Sequence, residues 1–512
     1  MTLRFGTAGL RGPVCDGPDG MNVETVTRAT AGLAAWLGAH GAAGGTVVVG
    51  RDARHGSADF HRAACEVLSA AGFDVVALPD PGPTPLVAFA CRAFDAAAGV
   101  MITASHNPPR DNGYKVYLDG GAQLIGPADR EIEALIDAAP SAQDVPRAPV
   151  EPDARARSVR DRYLTRLAER FGPPVGRPVR IALTPMHGVG GDLALAALHA
   201  AGFDDVHVVD QQFAPDPDFP TVAFPNPEEP GATELLLALA DLVEADLAIA
   251  LDPDADRCAV GVRDGDRWRM LTGDETGALL GDRVLDDALP AVAAGAAPVV
   301  ASSIVSGTLL HTLATARGAD ARRTLTGFKW LVRAGEPLVY AYEEALGHCV
   351  DPQAVRDKDG ISAAVAFARL TAERAARGQT PADALSSLFD RYGIHRTAQR
   401  ALRVDDLSQI AAVMTQLRTS PPAELAGVPL TADDLLTRPP AERTDAVVLS
   451  GAAPDGTALR VVARPSGTEP KLKYYGQVST RPGGRVDATR PLNDLLAQAL
   501  ADLPDAPRER IS

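Results

Sequence analysis

Short, unbroken apolar runs alternate along this chain with longer stretches that are apolar on one side only. TVVVG (46–50) is followed by GSADFHRAACEVLSAAGF (56–73), which is apolar at helical spacing, and then by DVVAL (74–78). The order returns as VRIALT (179–184), a glycine-rich turn, DLALAALHAAGF (192–203) and DVHVVD (205–210). A third copy begins with APVVASSI (297–304) and SGTLLHTLATARGA (306–319). Continuous apolar strands are strands covered on both faces, and their alternation with amphipathic helices predicts layered α/β units. Three copies at long spacing predict three related α/β domains. The end of the chain reads differently: strand RVVAR, turn PSGTEP, strand KLKYYGQV and helix LNDLLAQALAD predict a smaller α+β unit.

The 512 residues exceed one ordinary core and call for several domains. The polar, proline-rich stretch PSAQDVPRAPVEPDARARS (140–158) reads as a connection. The expected domains are 1–155, 156–290, 291–390 and 391–512. ALPAVAAGAAPVVASSIV (288–305) is weakly polar but broken by Pro290 and Pro298, so it reads as a loop entering a buried strand and not as a membrane span. The N-terminus shows no apolar core of signal-peptide length. Five scattered cysteines without a CxxC fit a reducing cytoplasm and argue against a disulfide framework or zinc cluster. A formal net charge of −16 argues against a nucleic-acid partner and repels anionic substrates at long range. Any phosphate must therefore be held locally by converging cations, backbone amides or a metal.

Four loops carry the chemistry. In VMITASHNPPRDNGYKVY (100–117), Ser105 follows a short buried strand, at a strand end where α/β folds bind ligands. The flanking Ala104 and His106 exclude a GxSxG elbow, and neighbours such as Ser105 and His106 rarely pair as nucleophile and base. A polar Asn-Pro turn remains open on these residues alone. DLAIALDPDADRCAVGV (246–262) places Asp252, Asp254 and Asp256 at alternate positions between apolar strands. Three carboxylates on one side of an extended loop can converge on a cation. Arg257 and Arg263 occupy the sixth and twelfth positions, where an EF-hand needs Gly and Glu, so that motif is excluded. Hard oxygen donors favour Mg²⁺ over zinc, with a solvated acidic tip as the alternative. ARPSGTEPKLKYYG (463–476) surrounds a Gly467 turn with Arg464, Ser466, Thr468 and Lys471, either a phosphate cradle or an ordinary hairpin. YAYEEALGH (340–348) ends an apolar strand in Glu343 and Glu344, acceptors for sugar hydroxyls or simply acids at a helix start. FGTAGLRG (5–12) and TLTGFKW (324–330) add Arg11 and Lys329 in glycine-flanked loops. TPMHGVGGD (184–192) resembles a phosphate loop, but its glycines also suit tight turning.

Together these residues resemble the α-D-phosphohexomutase superfamily of phosphoglucomutases and phosphomannomutases, from FGTAGLRG to RPSGTEPK. TASHNP, DPDADR, EEALG and RPSGTEP stand in the family's order. DNGYKVY, TLTGFKW and DKDGIS look most like the branch with phosphopentomutase activity. The resemblance implies three mixed-sheet α/β domains and a C-terminal TBP-like α+β domain. It implies that Ser105 is the phosphorylated serine and that Asp252, Asp254 and Asp256 hold Mg²⁺ together with an oxygen on Ser105. Glu343 and Glu344 would bind the sugar. Arg464, Ser466, Gly467 and Thr468 would hold the non-reacting phosphate. Arg11, His106, Lys115 and Arg257 match active-site basic positions, and Lys329 a third-domain lysine. His348 stands where some relatives have a catalytic histidine, and Ala345 stands where many have Ser.

The activity this implies is interconversion of a sugar 1-phosphate and 6-phosphate, glucose first, primed by a sugar 1,6-bisphosphate. Pentose and mannose phosphates are alternatives, and a Mg²⁺-dependent sugar-phosphate phosphatase is the alternative of another class. Lys115 and His106 are the candidates for proton transfer, and in that role Lys115 needs a lowered pKa. Monomer and homodimer both remain open.

Overall fold

The repeated AAGF is a helix stop. In the first copy the helix Ser57–Ala70 ends at Gly72, with φ +84°, and the amide of Phe73 donates to the carbonyl of Leu68 at 3.1 Å. In the second, Gly202 has φ +86° and Phe203 donates to Leu198 at 2.9 Å. The third uses Gly318, φ +81°, with Ala319 donating to Ala314 at 2.9 Å. This is the Schellman arrangement: a left-handed residue turns the chain and the next amide satisfies a helix-end carbonyl. The buried Phe73 and Phe203 then anchor the entry to the following strand.

The coordinates are a computed structural model that describes residues 9–118, 120–173, 176–291, 296–404, 406–440, 442–466, 471–483 and 489–505. Three mixed sheets share one order. In the first, Asp74–Ala77, Thr46–Arg51 and Ala98–Ile102 are parallel and Asp111–Leu118 joins antiparallel. Leu10–Pro13 and Ala122–Gln123 also pair with Asp111–Leu118. In the second, Val206–Val208, Ile181–Thr184 and Leu247–Leu251 are parallel, followed by the antiparallel Cys258–Asp264 and Arg267–Met270. In the third, Asp320–Thr324, Val299–Ser303 and Leu338–Glu343 are parallel and Gly347–Cys349 is antiparallel. The fourth sheet is antiparallel throughout, in the order His395–Arg403, Lys471–Ser479, Ala458–Pro465, Val447–Ala452 and Thr431–Asp434. The helices Leu407–Thr419 and Thr489–Ala501 pack on it. The expected class, three mixed α/β units and a C-terminal α+β unit, is the observed one.

One element departs from the sequence reading. Ala288–Ala291 does not belong to a loop. It continues the helix Gly273–Ala291, with Pro290 in its final turn, and the strand begins only at Val299. No helix among the described residues is long and apolar enough to cross a membrane.

The shared order has a consequence for function. In each mixed sheet, the turn from the last parallel strand into the antiparallel one carries a motif: Ser105 in the first, Asp252–Asp256 in the second, Glu343–Glu344 in the third. Each turn also holds one non-glycine residue in the left-handed region: Ser105 at φ +53°, Ala255 at +51° and Leu346 at +64°. Such a backbone costs roughly 1–3 kcal/mol per residue and persists only where surrounding contacts impose it. Leu247–Leu251 is buried along its whole length, and a single apolar cluster continues from the first unit into the fourth.

Candidate active site

Ser105 lies three residues beyond the end of strand Ala98–Ile102 and is buried. Its amide donates to Thr103 Oγ1 at 2.9 Å, and its Oγ donates to Asp252 Oδ2 at 2.8 Å. The serine of the first unit is thus joined to the acidic loop of the second. His106 Nδ1 lies 3.2 Å from Ser105 Oγ, so the two neighbours do meet. The left-handed turn at Ser105 brings them together, which an extended backbone would not do. Burial, reinforced by Arg257 and Arg11, holds the His106 imidazole well below its usual pKa and keeps the ring neutral.

Asp252, Asp254 and Asp256 present one oxygen each within 4.8 Å of one another, and all three are buried. Asp254 Oδ2 accepts from Thr84 Oγ1 at 2.6 Å and from Lys115 Nζ at 2.7 Å. Asp256 Oδ2 accepts from Lys115 Nζ at 2.9 Å and lies 3.2 Å from Lys358 Nζ. Asp254 Oδ1 and Asp256 Oδ1 are buried without a hydrogen-bond partner. Burial and the repulsion of Asp254 and Asp256 push Asp252 well above the usual carboxylate range. At Asp256 burial also acts upward, but Lys115, Lys358 and Arg257 outweigh it. Two carboxylate oxygens without a hydrogen-bond partner, in a buried cluster of oxygen donors, fit a hard divalent cation, and the cluster is consistent with the Mg²⁺ site expected from the sequence.

A cavity of about 1550 Å³ opens beside this cluster, and all four units line it. Arg11 lines it from strand Leu10–Pro13, with NH1 donating to Asn107 Oδ1 at 3.1 Å. Burial lowers the Arg11 pKa, with Asp254 acting in the other direction. Arg257 also lines it, with Nε 3.8 Å from both Asp252 Oδ2 and Asp256 Oδ1. From the third unit come Glu343 and Glu344. Glu343 Oε1 accepts from the amide of Gly327 at 2.7 Å. Glu344 Oε2 accepts from Ser306 Oγ at 2.9 Å and Ser303 Oγ at 3.1 Å. Burial, then Glu343 and Asp274, push the Glu344 carboxyl up to about 7. Arg464 and Ser466 face the cavity from the fourth unit, and the amide of Ser466 closes the turn onto the carbonyl of Lys471 at 2.8 Å. Gly467 and Thr468 lie outside the described residues.

Sequence profiles of phosphoglucomutase/phosphomannomutase α/β/α domains I, II and III match residues 2–143, 161–265 and 272–392. The chain is 41% identical over 462 residues, 89% of its length, to a "probable phosphomannomutase" of Haemophilus influenzae, of which 92% is covered. The chain belongs to the phosphoglucomutase/phosphomannomutase family. It is therefore a phosphosugar mutase, an intramolecular phosphotransferase of the α-D-phosphohexomutase superfamily. The mutase is also 34% identical to the phosphopentomutase of Homo sapiens, over 97% of this chain and 88% of that one. To a phosphoglucomutase of Staphylococcus aureus it is 32% identical, over 92% and 89%. The crystal structure of a phosphoglucomutase/phosphomannomutase family protein from Burkholderia thailandensis shares the fold. Its TM-score is 0.72, at 21% identity, covering 98% of each chain.

Lys115, His348 and Lys329 are not among the residues that line the cavity. Lys115 is not lowered in pKa. Burial pulls it down, but the carboxylates of Asp254 and Asp256 outweigh burial and raise it, so the ammonium is held as a cation. His348 does not reach the cavity. It is fully buried beside the rings of Tyr340 and Tyr342, with Nδ1 3.1 Å from the Tyr340 hydroxyl, and burial lowers its pKa to about 3. Lys329 is half-buried on the short helix Phe328–Leu331 and is not part of the cavity lining.

The sequence reading gave no role to Lys358, Thr84 or Arg54. Lys358 lines the cavity, and burial is outweighed there by Asp256 and Asp357, which raise its pKa. The signal was present in DKDG, a lysine between two acids ahead of an apolar helix. TPMHGVGGD has a structural explanation: a Cβ on Gly188 would lie 2.4 Å from Pro253 Cα, so this loop buttresses the acidic loop by close backbone approach.

Proposed function

We propose that this mutase interconverts a sugar 1-phosphate and the corresponding 6-phosphate, with glucose as the preferred sugar, through a phosphoserine at Ser105 and a bisphosphorylated sugar. The observation that carries the reading is the bond from Ser105 Oγ to Asp252 in a cavity that also receives Arg464 and Ser466. A phosphatase needs one phosphate site; a mutase needs a second to hold the phosphate that is not reacting.

In the proposed cycle a sugar hydroxyl oxygen attacks the phosphorus on Ser105. The new P–O bond forms as the seryl P–O bond breaks, and the hydroxyl proton passes by way of His106 to the leaving Ser105 Oγ. The bisphosphate reorients, Ser105 Oγ attacks its other phosphorus as that P–O bond to the sugar breaks, the seryl proton passes by way of His106 to the leaving sugar oxygen, and the isomeric monophosphate leaves. Phosphoryl transfer is catalysed mainly by alignment and by charge that opposes the phosphoryl oxygens. Arg257, Lys358 and Arg11 line the cavity as such charges. Mg²⁺ held by Asp252, Asp254 and Asp256 would add Lewis-acid neutralisation at the same place. Lys115 holds Asp254 and Asp256 in register. Glu343 and Glu344 accept sugar hydroxyls. The five unpaired cysteines, four of them buried, suit a reducing, cytoplasmic setting.

Pentose phosphates form the second reading, favoured by the match to phosphopentomutases along nearly the whole chain. The 41% identity to a "probable phosphomannomutase" supports mannose in the same test. Comparing kcat/KM for glucose, ribose, deoxyribose and mannose 1-phosphates, with Mg²⁺ and the matching bisphosphate, decides the order. Free phosphate in place of isomerised sugar phosphate would refute the mutase cycle.

A further inference from the structure

The loop that carries Ser105 is poor in backbone donors, because Pro108 and Pro109 have no N–H. Its carbonyls nevertheless have partners. All four terminal N–H groups of one buried guanidinium point into it. Arg54 NH2 donates to the carbonyls of Ser105 and Asn107, both at 2.6 Å, and NH1 donates to those of Pro108 at 2.8 Å and Asp111 at 3.1 Å. The arginine is fixed from behind. Asp52 Oδ2 lies 3.5 Å from its Nε, and Asp52 Oδ1 accepts from the Arg54 amide at 2.9 Å and from Ser57 Oγ at 2.6 Å. The Phe219 ring of the second unit covers the guanidinium, with its centroid 4.9 Å from Cζ. The Arg54 side chain is 1% exposed and does not itself line the cavity.

We propose that Arg54 is a positioning residue for the phosphoryl carrier: by gathering four carbonyls of residues 105–111 it holds Ser105 in its left-handed turn, and Phe219 ties that hold to the unit bearing the acidic loop. This rests on the reading of Ser105 as the carrier. A rigid planar fork suits the task, because its four N–H groups reach four acceptors in one plane, whereas an ammonium on a flexible stem reaches three at most. A loop displaced by about 1 Å lowers transfer about 100-fold even where every reacting group is intact.

The test uses the full chain with Mg²⁺, the bisphosphate and the best sugar phosphate of the wild type. For Arg54→Lys, which keeps the charge, kcat is expected to fall about 100-fold. The single-turnover rate of Ser105 phosphorylation by bisphosphate should fall in parallel, while KM stays within threefold. Phe219→Leu removes the ring face but none of the Arg54 hydrogen bonds, and should lower both rates in the same direction by a smaller factor. Unchanged phosphorylation rates in folded Arg54→Lys overturn the proposal. So does an unchanged rate in Phe219→Leu should the arginine variant fail to fold. A wild type that isomerises no sugar phosphate, or never labels Ser105, would instead refute the function on which the proposal rests.

Discussion

Ser105 donates to an aspartate, touches a histidine and occupies a left-handed backbone, so the proposed carrier role is tested first at this residue. Ser105→Ala is expected to lower mutase turnover by roughly 10⁴-fold or more, read as 6-phosphate formation in a coupled assay, with little change in thermal midpoint. Glu344 offers a test through pH. Its carboxyl rises from 4.5 in the unfolded chain to about 7 in the folded one. Between those values the folded state keeps a proton that the unfolded state has lost, so this contribution to stability is full below about pH 4.5 and disappears as pH rises through 7. At about 1.4 kcal/mol per pH unit the loss is of order 3 kcal/mol. Glu344→Gln should remove it, so the thermal midpoint of the variant should gain on the wild type as pH rises from 4.5 to 7. A constant difference across that range would contradict the assignment. The identities of Ser105, the three aspartates and the glutamate pair were legible in the sequence, because each stands in a short motif at a strand end. Arg54 and Thr84 were not, because a lone arginine or threonine near a turn carries no signal until its partners, distant in sequence, are seen to converge on it.

At the level of elements, the three strand-to-strand turns are structural equivalents that carry Ser105, the three-aspartate cluster and the Glu343–Glu344 pair. Repetition of the α/β unit was legible from apolar periodicity and from AAGF. Which turn of each unit would carry chemistry was legible too, since the motifs follow apolar runs. The helix Gly273–Ala291 shows where the pattern misled: Pro290 is exposed and stands one residue before the helix end. The loop at Gly188 supports the acidic loop from below. Gly188→Ala would push a methyl group into Pro253 and should destabilise the protein by about 1–3 kcal/mol. Weaker apparent Mg²⁺ affinity in the activity assay should accompany the lower thermal midpoint. A glycine needed only for a tight turn would leave Mg²⁺ dependence unchanged.

For the whole molecule, the charge of −16 and an anionic substrate are reconciled by position. Arg11, Arg257, Lys358, Arg464, Lys471 and Lys473 all border one cavity. Three buried carboxylates repel each other, so a divalent cation at Asp252, Asp254 and Asp256 should stabilise the folded chain. Mg²⁺ at about a hundred times its Kd should add about 2.7 kcal/mol, raising the thermal midpoint by several degrees, and EDTA should reverse both this gain and the activity. No upward shift with Mg²⁺ would contradict a metal role for the triad. The sequence by itself determined the layered α/β repeat, the C-terminal α+β unit and the short motifs of the candidate site, because periodicity and short motifs are local. The tertiary structure alone decided that Ser105 meets Asp252, 147 positions away, and that Lys115 is held as a cation. It likewise decided that His348 is packing, and that Lys329 stays off the lining while Lys358 joins it. Such outcomes depend on which side chains share a buried volume, and burial and Coulomb energy act through space, without regard to order along the chain.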